Sequence, residues 1–197
     1  MSNSEENPLV AAAVDGGADA LEAMWLDFLD PPRPAAFFLE ALDALSETDR
    51  RSAAGQLLQL LLDAYQQREA HVDVLAIVRM LVEYRPRGMD LTEVAQSALS
   101  NVHGEEEWFD LFVRIADIES SGLADGLERF DKLTRLLPGS VVYHRTGWGE
   151  GLVTSNDLGE EGFQVRFKGE GAERFMPFTT GLDVLQVLPG SDLRARL

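Results

Sequence analysis

The residues best suited to chemistry lie between Val141 and Val153, in the stretch VVYHRTGWGEGLV. Its glycines form a G-x-G-x-G pattern, which cradles a dinucleotide phosphate only where it opens a helix. Here the β-prone residues LVTSND follow, and no Walker-type lysine is present. The pattern therefore favours a bend in which Gly147, Gly149 and Gly151 permit a positive φ angle beside a conspicuous tryptophan.

Metal-binding and hydrolytic patterns are weak in this chain. His71, His103 and His144 lie far apart, and no two of them share a ligand spacing. Cysteine is absent, which removes thiolate catalysis and cysteine-based zinc sites. Neither a G-x-S-x-G elbow nor an S-x-x-K pair occurs. We therefore expect no metal site, no cofactor and no catalytic residue, with a cryptic hydrolase as the opposing hypothesis.

The charge balance argues against anionic partners. The 197 residues include 34 acidic and 17 basic side chains, a formal net charge of -17. Nucleic acid and anionic membranes would be repelled by such a chain. No apolar run approaches the roughly 20 residues that span a bilayer, and the N-terminus lacks the basic region of a secretory signal. We expect a cytoplasmic protein that binds neither nucleic acid nor membrane.

Two parts of the chain follow different patterns. Residues 1–137 hold 26 acidic and 11 basic residues, whereas residues 138–197 hold 8 and 6. The hydrophobic periodicity changes at the same place, Pro138. We predict a flexible tail over 1–17, an α-helical domain over 18–137, a small β-barrel over 138–189 and a C-terminal tail or linker over 190–197.

The first part is predicted to be helical. Apolar residues recur at helical spacing in about seven segments that are joined by short links. Short links make neighbouring helices antiparallel, which predicts a bundle of helical hairpins or an irregular α-solenoid. The segment over residues 56–86 resembles a tetratricopeptide unit, but no second copy follows at a fixed period.

The second part is predicted to hold five short strands. The stretch GFQVRFK alternates apolar Phe163, Val165 and Phe167 with polar residues, which is typical of a strand with one buried face. The other strands are predicted in SVVYH, EGLVTS, ERFMPF and DVLQVL. Five short strands in about 50 residues indicate a small SH3- or Tudor-like barrel that packs on the last helix. The predicted fold class is α+β.

Trp148 is the residue for which two interpretations stay open. It lies between two glycines, where few local neighbours can cover a large ring. The ring either plugs the end of the barrel against the last helix or is presented to a partner as an interface anchor. The candidate protein-contact residues are Tyr143, His144, Arg145, Trp148, Phe175 and Phe178.

A resemblance to a known family rests on three motifs. They are Pro138-Gly139 before the strand that ends at His144, Gly147-Trp148-Gly149-Glu150-Gly151, and Val165-Arg166-Phe167. Together they resemble the small β-domain in the N-terminal extension of some bacterial Gre-type transcript-cleavage factors, which also carries tetratricopeptide-like helices. The segment is similar as well to the Tudor-like C-terminal module of UvrD-type helicases and to the polymerase-interacting domain of CarD-type regulators.

All three resemblances imply contact with RNA polymerase. The coiled-coil finger that works in Gre factors is not found in these 197 residues, so the resemblance does not imply transcript cleavage. It implies a stand-alone paralogue or the front part of a longer protein. We therefore expect a non-enzymatic, elongation-factor-like protein that docks on RNA polymerase. The alternative is a general α-solenoid adaptor unrelated to transcription, whose partner binding would survive deletion of residues 138–197.

Overall fold

The computed structural model describes residues 7–30, 33–84, 90–169, 172–189 and 192. The chain divides into two compact units, Met1–Gly104 and Glu105–Leu197. The change of pattern at Pro138 therefore falls inside the second unit, which contains helices as well as the sheet. Residues 1–6 of the predicted tail lie outside the described residues, as does the predicted C-terminal tail or linker apart from Asp192.

The first unit is helical. A short 3-10 helix, Leu26–Phe28, follows its first α-helix. The five α-helices are α1 (Pro8–Trp25), α2 (Ala35–Ala44), α3 (Glu47–Gln66), α4 (His71–Tyr84) and α5 (Thr92–His103).

Helix α1 begins earlier than the predicted tail allows. The side chain of Asn7 accepts a hydrogen bond from the N–H of Leu9, and Pro8 occupies the first turn, where its missing N–H costs nothing. Leu9 is fully buried, so this turn contributes to a core. The sequence predicted that the tail ends at Gly17. In the structure Gly17 lies within α1, where its φ of 68° produces a kink in the helix.

An aromatic cluster lies at the core of the first unit. The rings of Trp25 and Phe38 meet edge to face at 4.9 Å, and Phe38 meets Tyr65 at 6.5 Å. The Tyr65 hydroxyl donates to the carbonyl of Arg33, and burial raises the pKa of this hydroxyl. All three rings are at most 2% exposed, so they are packing residues, as the apolar spacing predicted for Trp25.

The second unit places three helices before a five-stranded sheet. The helices are α6 (Phe109–Ala116), α7 (Ile118–Ser121) and α8 (Leu123–Thr134). They are followed by β1 (Val141–His144), β2 (Gly149–Asp157), β3 (Gly162–Phe167), β4 (Glu173–Pro177), α9 (Phe178–Val184) and β5 (Leu185–Val187).

The sheet is antiparallel, with the strand order β4-β3-β2-β1-β5. The α+β class and all five predicted strands are confirmed. Strands β4 and β5 lie at the two edges, and no pairing joins them in the part of the chain that the structure describes. A closed barrel therefore remains a prediction.

Helix α9 connects the sheet to the preceding helices. Phe178 was placed in the fourth strand by the sequence analysis, but it is the first residue of α9 and is fully buried. Its ring lies 4.9 Å from Phe112 of α6 and 5.3 Å from Phe163 of β3. A Cβ atom on Gly181 would come within 2.7 Å of the Phe163 ring, so only glycine permits this close packing.

Candidate protein-binding site around Trp148

The bend between β1 and β2 depends on the backbone freedom of two glycines. His144 pairs with Gly149 across the two strands, so four residues form the turn. Gly147 and Gly149 have φ angles of 150° and 70°, and no atom lies within 4 Å of the place where a Cβ would stand. Backbone conformation, rather than lack of space, therefore requires glycine at both positions.

Gly151 is required for a different reason. It lies within β2, opposite Phe167, and its φ is not in the positive range. A Cβ atom there would come within 2.7 Å of Val165 and 2.8 Å of Phe167. The third glycine of the motif thus makes room for the buried side chains of β3, whereas the first two shape the turn.

Trp148 is held by residues from three strands. Its ring centroid lies 4.3 Å from that of His144 and 5.3 Å from that of Phe167. The guanidinium carbon of Arg174 lies 4.4 Å from the Trp148 centroid, within the range of a cation–π interaction. Trp148 is nevertheless 37% exposed. The structure therefore shows an indole that is fixed by the sheet and still reaches solvent.

His144 supports this arrangement from below the surface. Only 7% of the residue is exposed, and its Nδ1 lies 3.3 Å from the backbone N–H of Thr146. Phe167 meets His144 edge to face at 5.9 Å and is itself buried. His144 is thus a positioning residue for the indole, and little of it is open to a partner.

The other predicted contact residues are dispersed. Successive strand side chains point to opposite faces, so Tyr143 faces away from His144, and Phe175 faces away from Arg174. Tyr143 is half-buried, and Phe175 is 44% exposed. Arg145 is exposed at the start of the turn, where its backbone N–H donates to the carbonyl of Val184.

The prediction that Phe178 contacts a partner protein is wrong. It has no exposed surface because its ring fills the space between α6 and β3, so a partner cannot reach it in this fold. The structure brings Trp148 and His144 together and adds Phe167 and Arg174 to them. The alternation of apolar and polar residues in β3 predicted that Phe167 is buried. The position of Arg174 near Trp148 could not be predicted, because it depends on the pairing of Val165 with Arg174 between β3 and β4.

Metal-ligand clusters and membrane-spanning helices were both searched for among the described residues. Within them, no group of three histidine, aspartate or glutamate side chains is arranged to hold a metal ion. The helices that the structure describes include none with the length and apolar character needed to cross a bilayer.

Comparison with known proteins gives a distant relationship. The chain is 21% identical over 165 residues to the "Transcription elongation factor GreA" of Chlamydia pneumoniae. The match covers 80% of this chain and 22% of that protein, so the chain spans about a fifth of the length of the curated relative it matches. No family model and no solved structure matches.

The extent of the match adds to the motif-based resemblance. Residues 138–197 are less than a third of the chain, so a match over 80% of it also covers much of the helical part. The sequence therefore has a Gre-like relationship that is not confined to the glycine-tryptophan motif.

Proposed function

We propose that this chain is a cytoplasmic, non-enzymatic, elongation-factor-like protein that binds RNA polymerase through its sheet-containing unit. The similarity to a transcription elongation factor supports the polymerase as partner. The binding site is assigned to Trp148, because its indole ring is held in place by neighbouring side chains and is still 37% exposed.

Tryptophan and arginine are enriched among the residues that dominate the binding energy of interfaces. Tryptophan supplies a large contact area at a low cost in side-chain entropy, because it has only two side-chain torsions. Stacking on His144 and Arg174 already restricts the indole, so a partner that covers it loses little side-chain entropy. Arg145 beside it adds an exposed guanidinium for a carboxylate of the polymerase.

The acidic helical part serves as a scaffold in this proposal. The first unit, residues 1–104, holds 17 acidic and 7 basic residues, a net charge of -10. Such a surface favours a basic partner surface and disfavours the nucleic acid that the polymerase carries. This proposal therefore places the interaction on protein surfaces of the polymerase.

The test measures binding of the full chain to purified bacterial RNA polymerase core enzyme by biolayer interferometry. Trp148→Ala and Arg145→Glu are each expected to weaken binding by about tenfold or more, as for anchor residues of an interface. Leu26→Ala removes an exposed apolar side chain from the first unit, and Arg129→Glu makes the same charge change at an exposed position of α8. Both controls are expected to bind like the wild type.

Absence of polymerase binding by the folded wild-type chain would overturn the proposal. Equal losses in Trp148→Ala and Leu26→Ala would overturn the assignment of the surface. Substitutions in the full chain are preferable to deletion of residues 138–197, because that deletion removes Phe178, which packs on Phe112 of α6. The alternative, a general adaptor unrelated to transcription, predicts no polymerase binding in any of these variants.

A further inference from the structure

A small groove in the second unit combines cations with an apolar floor. It has a volume of about 160 Å³ and lies between the end of α8, helix α9 and strand β5. Leu136, Leu182 and Val187 contribute apolar surface to it. Its cationic side chains are Lys132, Arg135 and Arg145.

This groove is lined by positive charges, although the chain as a whole is strongly negative. The second unit, residues 105–197, has 17 acidic and 10 basic residues, yet three of the basic ones line this one groove. Arg135 and Arg145 are exposed, and neither guanidinium has an ion-pair partner among the residues that the structure describes. Lys132 pairs with Glu128 at 2.7 Å, but both side chains are at least half exposed, so the pair is readily exchanged.

The same groove borders an unpaired strand edge. Arg145 donates its N–H to the carbonyl of Val184, and Leu188 donates to that of Val141. In an antiparallel pair, hydrogen-bonding residues alternate, so these two bonds turn the N–H and C=O groups of Val187 away from β1. Strand β5 pairs only with β1 among the described strands, and an unpaired edge can accept a further strand.

We infer that this groove binds a short extended segment of a partner protein in which pairs of acidic residues alternate with pairs of apolar residues. In a strand, alternate side chains point to opposite sides. A segment with paired residue types therefore carries both types on each side. An apolar side chain enters the floor of the groove, while a carboxylate two positions away on the same side reaches Arg135 or Arg145, whose planar guanidinium groups accommodate a carboxylate with two hydrogen bonds. The segment's backbone pairs with Val187.

A protein segment fits this groove better than a nucleic acid. The described residues that line the groove include no aromatic ring on which a base could stack, whereas Leu136, Leu182 and Val187 suit apolar side chains. The net charge of -17 repels a long polyanion, whereas a segment with two or three carboxylates gains local ion pairs over distances shorter than the screening length of about 8 Å at physiological salt. This inference goes beyond the proposed polymerase binding and holds for any partner with such a segment.

The experiment uses the full chain and a fluorescein-labelled nine-residue peptide in which pairs of valines alternate with pairs of glutamates. Fluorescence anisotropy measures its binding. The wild type is expected to bind this peptide and not its lysine–valine counterpart. The double variant Arg135→Ala, Arg145→Ala is expected to bind about tenfold more weakly, since two partly exposed ion pairs are removed. Arg129→Ala lies on α8 outside the groove and is expected to bind like the wild type.

A second probe tests the strand pairing. A glutamate–valine peptide with every backbone nitrogen methylated cannot donate a backbone hydrogen bond along either edge, and its binding is expected to be lost. Unchanged binding of the methylated peptide would overturn the edge-pairing geometry.

Other outcomes overturn the inference as a whole. They are no binding of the glutamate–valine peptide, binding unaffected by the double substitution, and tighter binding of a single-stranded oligonucleotide than of the peptide. Arg135 separates this test from the polymerase test: Arg135→Ala alone should weaken peptide binding, whereas Trp148→Ala should not.

Discussion

Trp25 of the helical unit and Trp148 of the sheet-containing unit use the same side chain in opposite ways. Trp25 is fully buried and meets Phe38 edge to face, within a cluster that extends to Tyr65. Trp148 is 37% exposed and lies against an imidazole and a guanidinium as well as a phenyl ring. Apolar neighbours bury Trp25 completely, whereas the neighbours of Trp148 fix the ring and leave part of it exposed.

Of the two tryptophans, only the exposed one can contribute to an interface. A buried ring contributes to the free energy of unfolding and is inaccessible to a partner. A supported but exposed ring contributes less to folding and keeps surface for binding.

Trp25→Ala is expected to lower the free energy of unfolding by about 3–5 kcal/mol, because it leaves a large cavity in a packed core. Urea denaturation followed by far-UV circular dichroism measures the change. Leu26→Ala, at the neighbouring and exposed position, should remain within about 0.5 kcal/mol of the wild type. Similar losses for the two variants would contradict the assignment of Trp25 to the core.

Trp148→Ala is expected to cost about 2 kcal/mol, because only the covered part of the ring loses its burial. The same denaturation experiment applies, and Trp148→Phe should recover part of the loss through its remaining ring contacts. A loss as large as that of Trp25→Ala would show that the indole is a core residue, and the contrast between the two tryptophans would fail.

Gly151→Ala and Gly149→Ala are expected to destabilise for different reasons. The first introduces a clash with Val165 and Phe167 and should cost about 1–3 kcal/mol. The second places a side chain at a φ of 70° in open space and should cost about 1 kcal/mol.

Asparagine distinguishes the two mechanisms, because it adopts positive φ angles more readily than alanine. Gly149→Asn should therefore be more stable than Gly149→Ala, whereas Gly151→Asn should be no better than Gly151→Ala. Recovery by asparagine at both positions, measured by thermal melting, would contradict the steric role of Gly151.

The contact between Trp148 and Arg174 is expected to contribute about 0.5–1 kcal/mol of coupling in a double-mutant cycle of the two alanine substitutions. Arg166, which pairs with Glu173 at 2.6 Å, provides the control cycle with Trp148 and should show no coupling. A coupling energy of zero between Trp148 and Arg174 would show that the guanidinium does not help to hold the indole in place.

The smallest effect concerns Asp90, an exposed carboxylate before α5. The N–H of Thr92 donates to it at 3.0 Å, and this hydrogen bond holds the pKa of Asp90 below its ordinary value. Its contribution is therefore present above the ordinary pKa of about 4 and is lost as the pH falls through the lowered pKa.

Asp90→Asn removes the titration and keeps an acceptor oxygen. The difference in melting temperature between wild type and this variant should shrink as the pH falls from about 6 to below the ordinary carboxyl pKa of about 4. A difference that grows on acidification would contradict the direction of the pKa shift.

Much of the fold follows from local patterns. The seven predicted helical segments correspond to α1 to α6 and α8, and the five predicted strands are all present. The first half of α1 was not predicted, because two consecutive glycines, Gly16 and Gly17, usually interrupt a helix. The apolar residues Leu9 and Ala13, which are four positions apart and both buried, were a helical signal. Helix α9 was missed because the string RFMPF alternates like a strand up to Pro177.

The candidate site was only partly predictable. The Gly-Trp-Gly motif identified the bend and its tryptophan, because glycine and aromatic residues are locally informative. The motif does not show that Arg174, 26 positions further along the chain, completes the support of the indole. Nor does it show that Phe178 is buried, since burial depends on what α6 places against it.

The element types, the α+β class and the position of the β1–β2 bend follow from the sequence alone, because each depends on residues close together in the chain. The acidic character follows from the composition. Three other features come from tertiary packing: the support of Trp148 by His144, Phe167 and Arg174, the space that Gly151 leaves for β3, and the meeting of three cations beside β5. These features arise from strand register and helix packing, which bring together residues distant in sequence and set what each side chain can cover or leave exposed.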